Sequence, residues 1–348
     1  MLRLATMKRK QLTVEELKQG VLAGDRIILS RAITLCESQR PEDIAKADEL
    51  IQAILPATGN SLRIGITGVP GVGKSTFIES FGELITEKGK KLAVLTIDPS
   101  SQKTKGSILG DKTRMEELAR NPNAFIRPSA SGSALGGVGY KTREVMLLCE
   151  AAGFDVIIVE TVGVGQSETL VHGMVDFFLL LMLAGAGDEL QGIKKGIMEM
   201  AHALVINKAD GDNIMPAKRA KAEYQSALHL FPMEASGWLP QVKTCSSMEK
   251  SGLEEVWQMM QDYQDKLKGN GYFELNRKAQ QVSWFKSNIQ LLLEGGFYQS
   301  EETKNKLPEL LKMVEAGEIH ALKAAHDLVD SFFLIQKLLP FYKLKGSF

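Results

Sequence analysis

The chain has 348 residues, which is long enough for one large domain or for a core with extensions. With 44% hydrophobic and 24% charged residues, its composition is that of an ordinary globular protein and excludes a disordered chain. Lys+Arg and Asp+Glu both number 42, so there is no overall positive charge that would hold nucleic acid or an anionic membrane. We therefore expect neither a nucleic-acid partner nor a membrane partner.

Cysteine usage and the amino-terminal sequence favour the cytoplasm. Cys36, Cys149 and Cys245 are isolated in the sequence, with neither a C-x-x-C pair nor an even-numbered framework. Residues 1–10 (MLRLATMKRK) are basic but lack the apolar core of a signal peptide. The most apolar run, 177–186, is about half as long as a membrane-spanning helix and is more typical of a buried strand.

The predicted elements change character twice along the chain. Residues 12–56 carry apolar side chains at helical spacing, and three later runs do the same: 256–267, 279–293 and 307–339. Short apolar runs lie between them, separated by glycine-rich loops and helical stretches, at 62–67, 92–97, 156–159, 177–183 and 203–206. This alternation predicts an α/β fold with a mostly parallel sheet flanked by helices. We place an amino-terminal helical extension at 1–58, the sheet domain at 59–265 and a carboxyl-terminal helical segment at 266–348.

The first predicted strand leads into a complete phosphate-binding motif, so the sheet domain is predicted to be a P-loop NTPase. Residues 68–75 (GVPGVGKS) match G-x-x-x-x-G-K-[ST] between a strand and a helix. Gly71 and Gly73 let backbone N–H groups turn toward a β-phosphate, and the helix N-terminus adds positive potential. Lys74 would neutralise the β and γ oxygens, and Ser75 offers its hydroxyl to Mg²⁺. The predicted nucleotide contacts in this segment are Gly68, Val69, Pro70, Gly71, Val72, Gly73, Lys74, Ser75 and Thr76.

A second motif, N-K-x-D, follows the predicted strand at 203–206 and indicates which base is bound. Asp210 can accept hydrogen bonds from both N1–H and the 2-amino group of guanine, whereas adenine offers neither donor there. Asn207 and Lys208 would brace the site. We therefore predict GTP and GDP as the bound nucleotides. A further base-binding loop is expected one strand later, at Ser246 and Ser247.

Acidic residues near strand ends predict the metal site and the contacts to the γ-phosphate. Glu160 has the form of a Walker-B acid, and Gly163 follows it closely enough to offer its N–H to the γ-phosphate. Asp98 and Asp111 are candidates for binding Mg²⁺ or for positioning water. The predicted catalytic residues are Lys74, Asp98, Glu160 and Gly163, and the predicted metal ligands are Ser75, Asp98, Asp111 and Glu160.

The water-activating machinery is incomplete in this sequence. Val164 stands where small GTPases place a water-orienting Gln, and Gln166 lies two positions further along. We therefore expect slow hydrolysis without a partner. Residues 185–195 (GAGDELQGIKK) are polar and glycine-rich and follow a predicted strand, so we interpret them as a mobile switch.

Several segments extend beyond the generic nucleotide motifs: GVPGVGKST, IDPSS, GSILGDKTRM, FIRPS, ETVGVGQSE, GDELQGIKKGIMEMA and NKAD. Together they resemble the metallochaperone-type P-loop GTPases of the MeaB/ArgK family over residues 12–260. The resemblance implies a GTPase chaperone of an adenosylcobalamin-dependent acyl-CoA mutase of the methylmalonyl-CoA mutase type. Such a chaperone gates cofactor loading and protects or reactivates the enzyme. The resemblance also implies a homodimer, and a switch role for GDELQGIKKG toward the mutase.

Two other functions stay open at this point. A nickel-insertion GTPase of the hydrogenase or urease type shares this fold and nucleotide chemistry, but it needs a group of His and Cys ligands. The five histidines are scattered in the sequence, at His172, His202, His229, His320 and His326. A free-standing regulatory GTPase, which only binds effectors, carries the same nucleotide motifs.

Overall fold

A computed structural model describes residues 12–97, 115–128, 135–161, 167–185, 195–232 and 235–345. The chain forms two compact units, of which the first ends at Gln280 and the second begins at Gln281. The domain limits that we place at 58/59 and 265/266 stay predictions. Within the described ranges, no helix has both the length and the apolar character needed to cross a membrane.

The described residues before the sheet are helical, as predicted, and form α1 (Val14–Leu22), α2 (Arg26–Glu37) and α3 (Pro41–Ile54). Thr13 and Glu16 form a capping box at the start of α1, and the Asp25 side chain accepts the first free N–H groups of α2. Leu29 and Ile33 of α2 are fully buried in the core that also contains the strands. The helical interpretation of this region is confirmed, and its apolar face packs on the sheet domain.

The described residues contain a sheet of seven strands: β1 (Leu62–Gly68), β2 (Leu92–Ile97), β3 (Ala124–Pro128), β4 (Val156–Thr161), β5 (Phe177–Leu183), β6 (Ala203–Asn207) and β7 (Gln241–Thr244). Their spatial order is β3-β2-β4-β1-β5-β6-β7. All neighbouring pairs run parallel. The central strands are buried almost throughout, which explains their near-continuous apolar sequences. The predicted α/β fold is confirmed.

After β1, the described part of the first unit contains the helices α4 (Lys74–Glu87), α5 (Glu116–Arg120), α6 (Leu135–Ala151), α7 (Ser167–His172), α8 (Lys195–Met200), α9 (Ile214–Leu228) and α10 (Leu253–Gly269). Strand β3 is an element that the apolar runs do not predict. It is short, and it contains Arg127 and Pro128. Its place at the edge of the sheet explains both features, because an edge strand tolerates proline and a half-buried charge.

A buried ion pair secures the amino-terminal edge of the sheet. Asp176, which precedes β5, accepts hydrogen bonds from Nε and Nη2 of Arg277 at 2.7 and 2.6 Å. The same guanidinium donates to the backbone oxygen of Ser61, which precedes β1, at 2.6 Å. This bidentate contact attaches the first turns of α11 (Tyr272–Gln299) at the edge opposite the phosphate-binding motif. This attachment therefore does not involve the carboxyl edge of the sheet, where the phosphate-binding motif lies.

The prediction of one helical run over 307–339 is wrong, because two helices occupy it: α12 (Glu301–Glu315) and α13 (Ala321–Lys345). Gly317 has φ +72 in the left-handed region and donates to the oxygen of Val314 at 3.1 Å. The N–H of Glu318 donates to the oxygen of Met313 at 2.9 Å. These two bonds form a Schellman motif, which ends α12.

Candidate functional site

The phosphate-binding loop spans the turn between β1 and α4. Gly71 and Gly73 have φ +76 and +86, in the left-handed region that glycine adopts without steric penalty. Val69 and Val72 are buried and anchor the loop to the core. A Cβ atom on Gly73 would lie 3.2 Å from Nδ2 of Asn207, so this glycine also permits a close approach of the base motif. The loop has the backbone that the motif predicts.

Lys74 lies at the first position of α4, among acidic side chains. Its Nζ donates to the backbone oxygen of Gly68 at 2.9 Å. Burial lowers the pKa of Lys74, and the charges of Glu160 and Glu168 oppose that shift. The ammonium group and the two carboxylates therefore share the carboxyl edge of the sheet.

Glu160 occupies the position that the sequence predicts, near the end of β4. It pairs in register with Ile66 of β1 and Thr96 of β2, and it is only 5% exposed. The neighbouring Thr161 donates its hydroxyl to Oγ1 of Thr67 at 2.8 Å. This contact fixes the ends of β1 and β4 beside the phosphate-binding loop.

Part of the predicted metal and γ-phosphate site lies outside the described residues. This applies to Asp98, Asp111 and Gly163, and to Val164 and Gln166. The pairing of Ile97 with Thr161 places the end of β2 beside the end of β4. Most of the predicted switch, 186–194, lies outside the described ranges as well.

The base motif directly contacts the phosphate-binding loop. The Asn207 side chain, 1% exposed at the end of β6, donates from Nδ2 to the oxygen of Val72 at 2.9 Å. Lys208 has a left-handed backbone with φ +58, and its Nζ donates to the oxygen of Gly71 at 2.9 Å. The two segments in which phosphate and base contacts are predicted are thus in direct contact.

The predicted second base-binding loop joins the same site after β7. Oδ1 of Asn207 accepts the N–H and the hydroxyl of Ser247, at 3.2 and 2.8 Å. The hydroxyl of Ser246 bonds to the Asp210 carboxylate. Cys245 is buried beside them, and burial raises its pKa to about 12, assisted by the charge of Asp210. The thiol therefore stays protonated at neutral pH.

Glu168 is a residue of this site that the motifs do not single out. It is fully buried in the first turn of α7, and its charge acts on Lys74. The available signal is its place in ETVGVGQSE, just after the candidate metal acid.

The histidines are less scattered in space than the sequence indicates. The rings of His172 and His202 lie with centroids 5.8 Å apart. Nδ1 of His202 accepts the N–H of Phe178 at 2.9 Å, and burial lowers the pKa of His202 to about 3. This ring is therefore a neutral part of the core at pH 7. Among the residues that the structure describes, no three His, Cys, Asp or Glu side chains form a metal-ligating group.

Comparison with known proteins identifies relatives along most of the chain. A putative GTPase of Caulobacter vibrioides is 50% identical over 325 residues, which cover 93% of this chain and 99% of that protein. GTPase ArgK of Escherichia coli is 51% identical over 278 residues, covering 80% and 84% of the two chains. The mitochondrial methylmalonic aciduria type A homolog of Mus musculus is 42% identical over 334 residues, covering 93% and 80%.

One solved structure, titled as a LAO/AO transport system kinase, has a TM-score of 0.73 and 39% identity, and the match covers 93% of this chain and 98% of that one. A family model described as methylmalonyl-CoA mutase-associated GTPase MeaB matches residues 29–301. This match takes in β1 to β7, the phosphate-binding loop and the N-K-x-D motif. The chain therefore belongs to the MeaB family of P-loop GTPases.

Proposed function

We propose that this GTPase binds its nucleotide between the phosphate-binding loop and the two base loops. We further propose that it acts in the cytoplasm as a chaperone of an adenosylcobalamin-dependent acyl-CoA mutase. In this role it gates cofactor loading and protects or reactivates the mutase. The nucleotide assignment rests on one observation above all, the Asn207 amide that bonds both to Val72 of the phosphate-binding loop and to Ser247 of the second base loop.

The phosphates are proposed to lie over the loop 68–76. Gly71 and Gly73 let the backbone N–H groups face the phosphate oxygens, and the N-terminus of α4 adds positive potential. Lys74 supplies a full positive charge from the first position of that helix. These groups would stabilise the charge that builds on the phosphate oxygens during hydrolysis. Lys74, Asp98, Glu160 and Gly163 are the proposed catalytic residues.

Mg²⁺ fits the donors that the described part of the site offers. Ser75 supplies a hydroxyl oxygen in the first turn of α4, and Glu160 supplies a carboxylate beside Lys74. Oxygen donors of this kind are those that Mg²⁺ prefers. Asp98 and Asp111 complete the proposed ligand set. When bound, the ion would neutralise charge on the β- and γ-phosphates.

The guanine base is proposed to bind at the Asp210 carboxylate. The hydroxyl of Ser246 donates a hydrogen bond to this carboxylate and holds it beside the loop that follows β7. A carboxylate so placed can accept both N1–H and the 2-amino group of guanine. Ser246 and Ser247 form the backbone of the facing loop, which Asn207 holds in place.

The mutase partner is inferred from the family. The family description names methylmalonyl-CoA mutase, and the mouse relative is named for methylmalonic aciduria. In the chain, the segment 185–195 lies between α8 (Lys195–Met200) and the carboxyl end of β5, a strand that runs parallel to β1. A partner contacting this segment would complete a catalytic site in which Val164 stands where small GTPases place a water-orienting Gln.

Replacing Lys74 with Ala removes the charge that compensates the phosphates. We expect turnover of GTP to fall by about 100-fold or more, the scale seen when a transition-state donor is deleted. The measurement is phosphate release at saturating GTP. Lys91→Ala, which removes an exposed lysine before β2, is the control and should keep wild-type turnover. Wild-type turnover in Lys74→Ala would exclude the proposed role of Lys74 and the phosphate-binding loop in hydrolysis.

Replacing Asp210 with Asn removes one acceptor and the negative charge from the base site. We expect the affinity for GDP to fall by about 10- to 100-fold, the equivalent of one hydrogen bond to a charged group. The affinity for xanthosine diphosphate should rise, because the Asn amide can donate to the oxygen that replaces the 2-amino group. Titration calorimetry measures both, with Asp212→Asn as the control. Unchanged discrimination between the two bases would overturn the assignment of Asp210.

Addition of a purified methylmalonyl-CoA mutase should raise the slow basal rate of GTP hydrolysis. The Lys74→Ala protein with the same mutase is the control and should release no phosphate above background. An unchanged rate at saturating mutase would favour the free-standing regulatory GTPase. Nickel that co-purifies with the chain and is released by GTP would favour the nickel-insertion GTPase.

We also propose that the protein is a homodimer held by its carboxyl-terminal helices. Within the second unit, α11 presents exposed apolar side chains at helical spacing: Val282, Phe285, Ile289 and Leu292. Phe285 is 66% exposed, which is unusual because burying an apolar side chain of this size stabilises a protein. A second copy would cover this face.

Phe285→Glu should convert the dimer to a monomer, as measured by light scattering, because it places a charge in the proposed interface. Ser287→Glu introduces the same charge on the opposite face of α11 and should leave the dimer intact. A Phe285→Glu protein that keeps the wild-type mass, or a wild-type protein that is already monomeric, would contradict this proposal.

A further inference from the structure

The helix that carries the phosphate-binding lysine is also bonded to the base loop. The hydroxyl of Ser80, in the second turn of α4, donates to the backbone oxygen of Ser247 at 2.8 Å. Ser80 is 7% exposed and Ser247 is 4% exposed, so this hydrogen bond is shielded from water. Ser80 follows Lys74 by six residues, which corresponds to about 9 Å along the axis of α4.

Further contacts hold the same helix against the same segment. Nζ of Lys250 lies 2.6 Å from the carboxylate of Glu83, and Nζ of Lys88 lies 2.6 Å from that of Glu254. These pairs are exposed, so salt screens them and they contribute little. The bond from Ser80 is the buried polar link between α4 and the loop among the described residues.

The segment 245–252 is a compact turn that is held together by its own hydrogen bonds. The N–H of Ser246 donates to the oxygen of Ser251 at 3.0 Å, and the N–H of Glu249 donates to Oγ of Ser246 at 3.0 Å. Gly252 has φ +74, and a Cβ atom there would lie 2.4 Å from the oxygen of Thr244. Because the turn is fixed internally, a shift at Ser247 also shifts Ser246, the residue that bonds to Asp210.

We infer that Ser80 is a positioning residue for guanine recognition. It acts by holding Ser247 against α4, the helix that carries Lys74. This inference rests on the proposed base site at Asp210. Loss of the hydroxyl leaves the oxygen of Ser247 buried without this donor, and the turn moves toward solvent to restore a hydrogen bond. Ser247 then no longer fixes Asn207, and Ser246 no longer aligns Asp210 with the 2-amino group of guanine.

The test compares GDP with inosine diphosphate, which retains N1–H but lacks the 2-amino group. In Ser80→Ala we expect the Kd for GDP to rise about tenfold, the equilibrium factor for an unsatisfied buried polar group. The Kd for inosine diphosphate should rise less, so the preference for GDP over inosine diphosphate falls. A merely structural effect would weaken both nucleotides equally.

Thr86→Val is the matched control, because it removes another buried hydroxyl from α4. That hydroxyl donates to the oxygen of Glu83 and accepts from Nδ2 of Asn121, each at 2.9 Å, and neither partner belongs to the turn. It should leave the preference for GDP unchanged. If Ser80→Ala fails to fold, as judged by circular dichroism, Ser80→Cys provides the second variant, because a thiol of similar size is a weak donor and should show the same loss of preference.

A wild-type preference for GDP in Ser80→Ala or in Ser80→Cys would overturn the inference, and so would an equal loss for both nucleotides. Failure of the underlying base site gives a different result. In that case the wild-type protein itself would bind GDP and inosine diphosphate equally.

Discussion

The site depends on one buried side chain, the carboxamide of Asn207. Its nitrogen donates to the phosphate-binding loop at Val72, and its oxygen accepts two hydrogen bonds from Ser247. A buried amide with its polar atoms satisfied gains more from these bonds than an exposed one and loses more when one is broken. This residue therefore links the phosphate-binding loop directly to the loop at Ser247. Ser80 makes a second connection between the same two regions through α4.

The parallel sheet explains why these groups meet. Strands β1, β4 and β6 point the same way, so the loops that follow them open on one edge. Lys74, Glu160 and Asn207 come from these three loops or strand ends although they are far apart in the sequence. The opposite edge carries the ion pair of Asp176 and Arg277, which is buried and makes bidentate contact. The ion pair that attaches α11 and the residues of the proposed nucleotide site therefore lie at opposite edges of the sheet, about one strand length apart.

Local patterns predict much of this molecule. The motifs at 68–75 and 207–210 predict the two loops, because their glycines and their spacing reflect local backbone geometry, and the described structure brings them together as expected. Strand β3 and the end of α12 at Gly317 escape prediction, since a short edge strand and a single glycine give weak signals. The charge interaction of Glu168 with Lys74 and the hydrogen bond of Ser80 to Ser247 join residues far apart in the sequence, and helical periodicity does not reveal such interactions.

We propose that one continuous site binds the phosphates at 68–76 and guanine at Asp210. A crystal structure with Mg²⁺ and a non-hydrolysable GTP analogue tests it most directly. We expect the β-phosphate to contact the backbone N–H groups of the loop and Nζ of Lys74. We also expect N1 and the 2-amino group of guanine to lie within hydrogen-bonding distance of the Asp210 carboxylate. An analogue bound with its base away from Asp210, or bound at another surface, would contradict it.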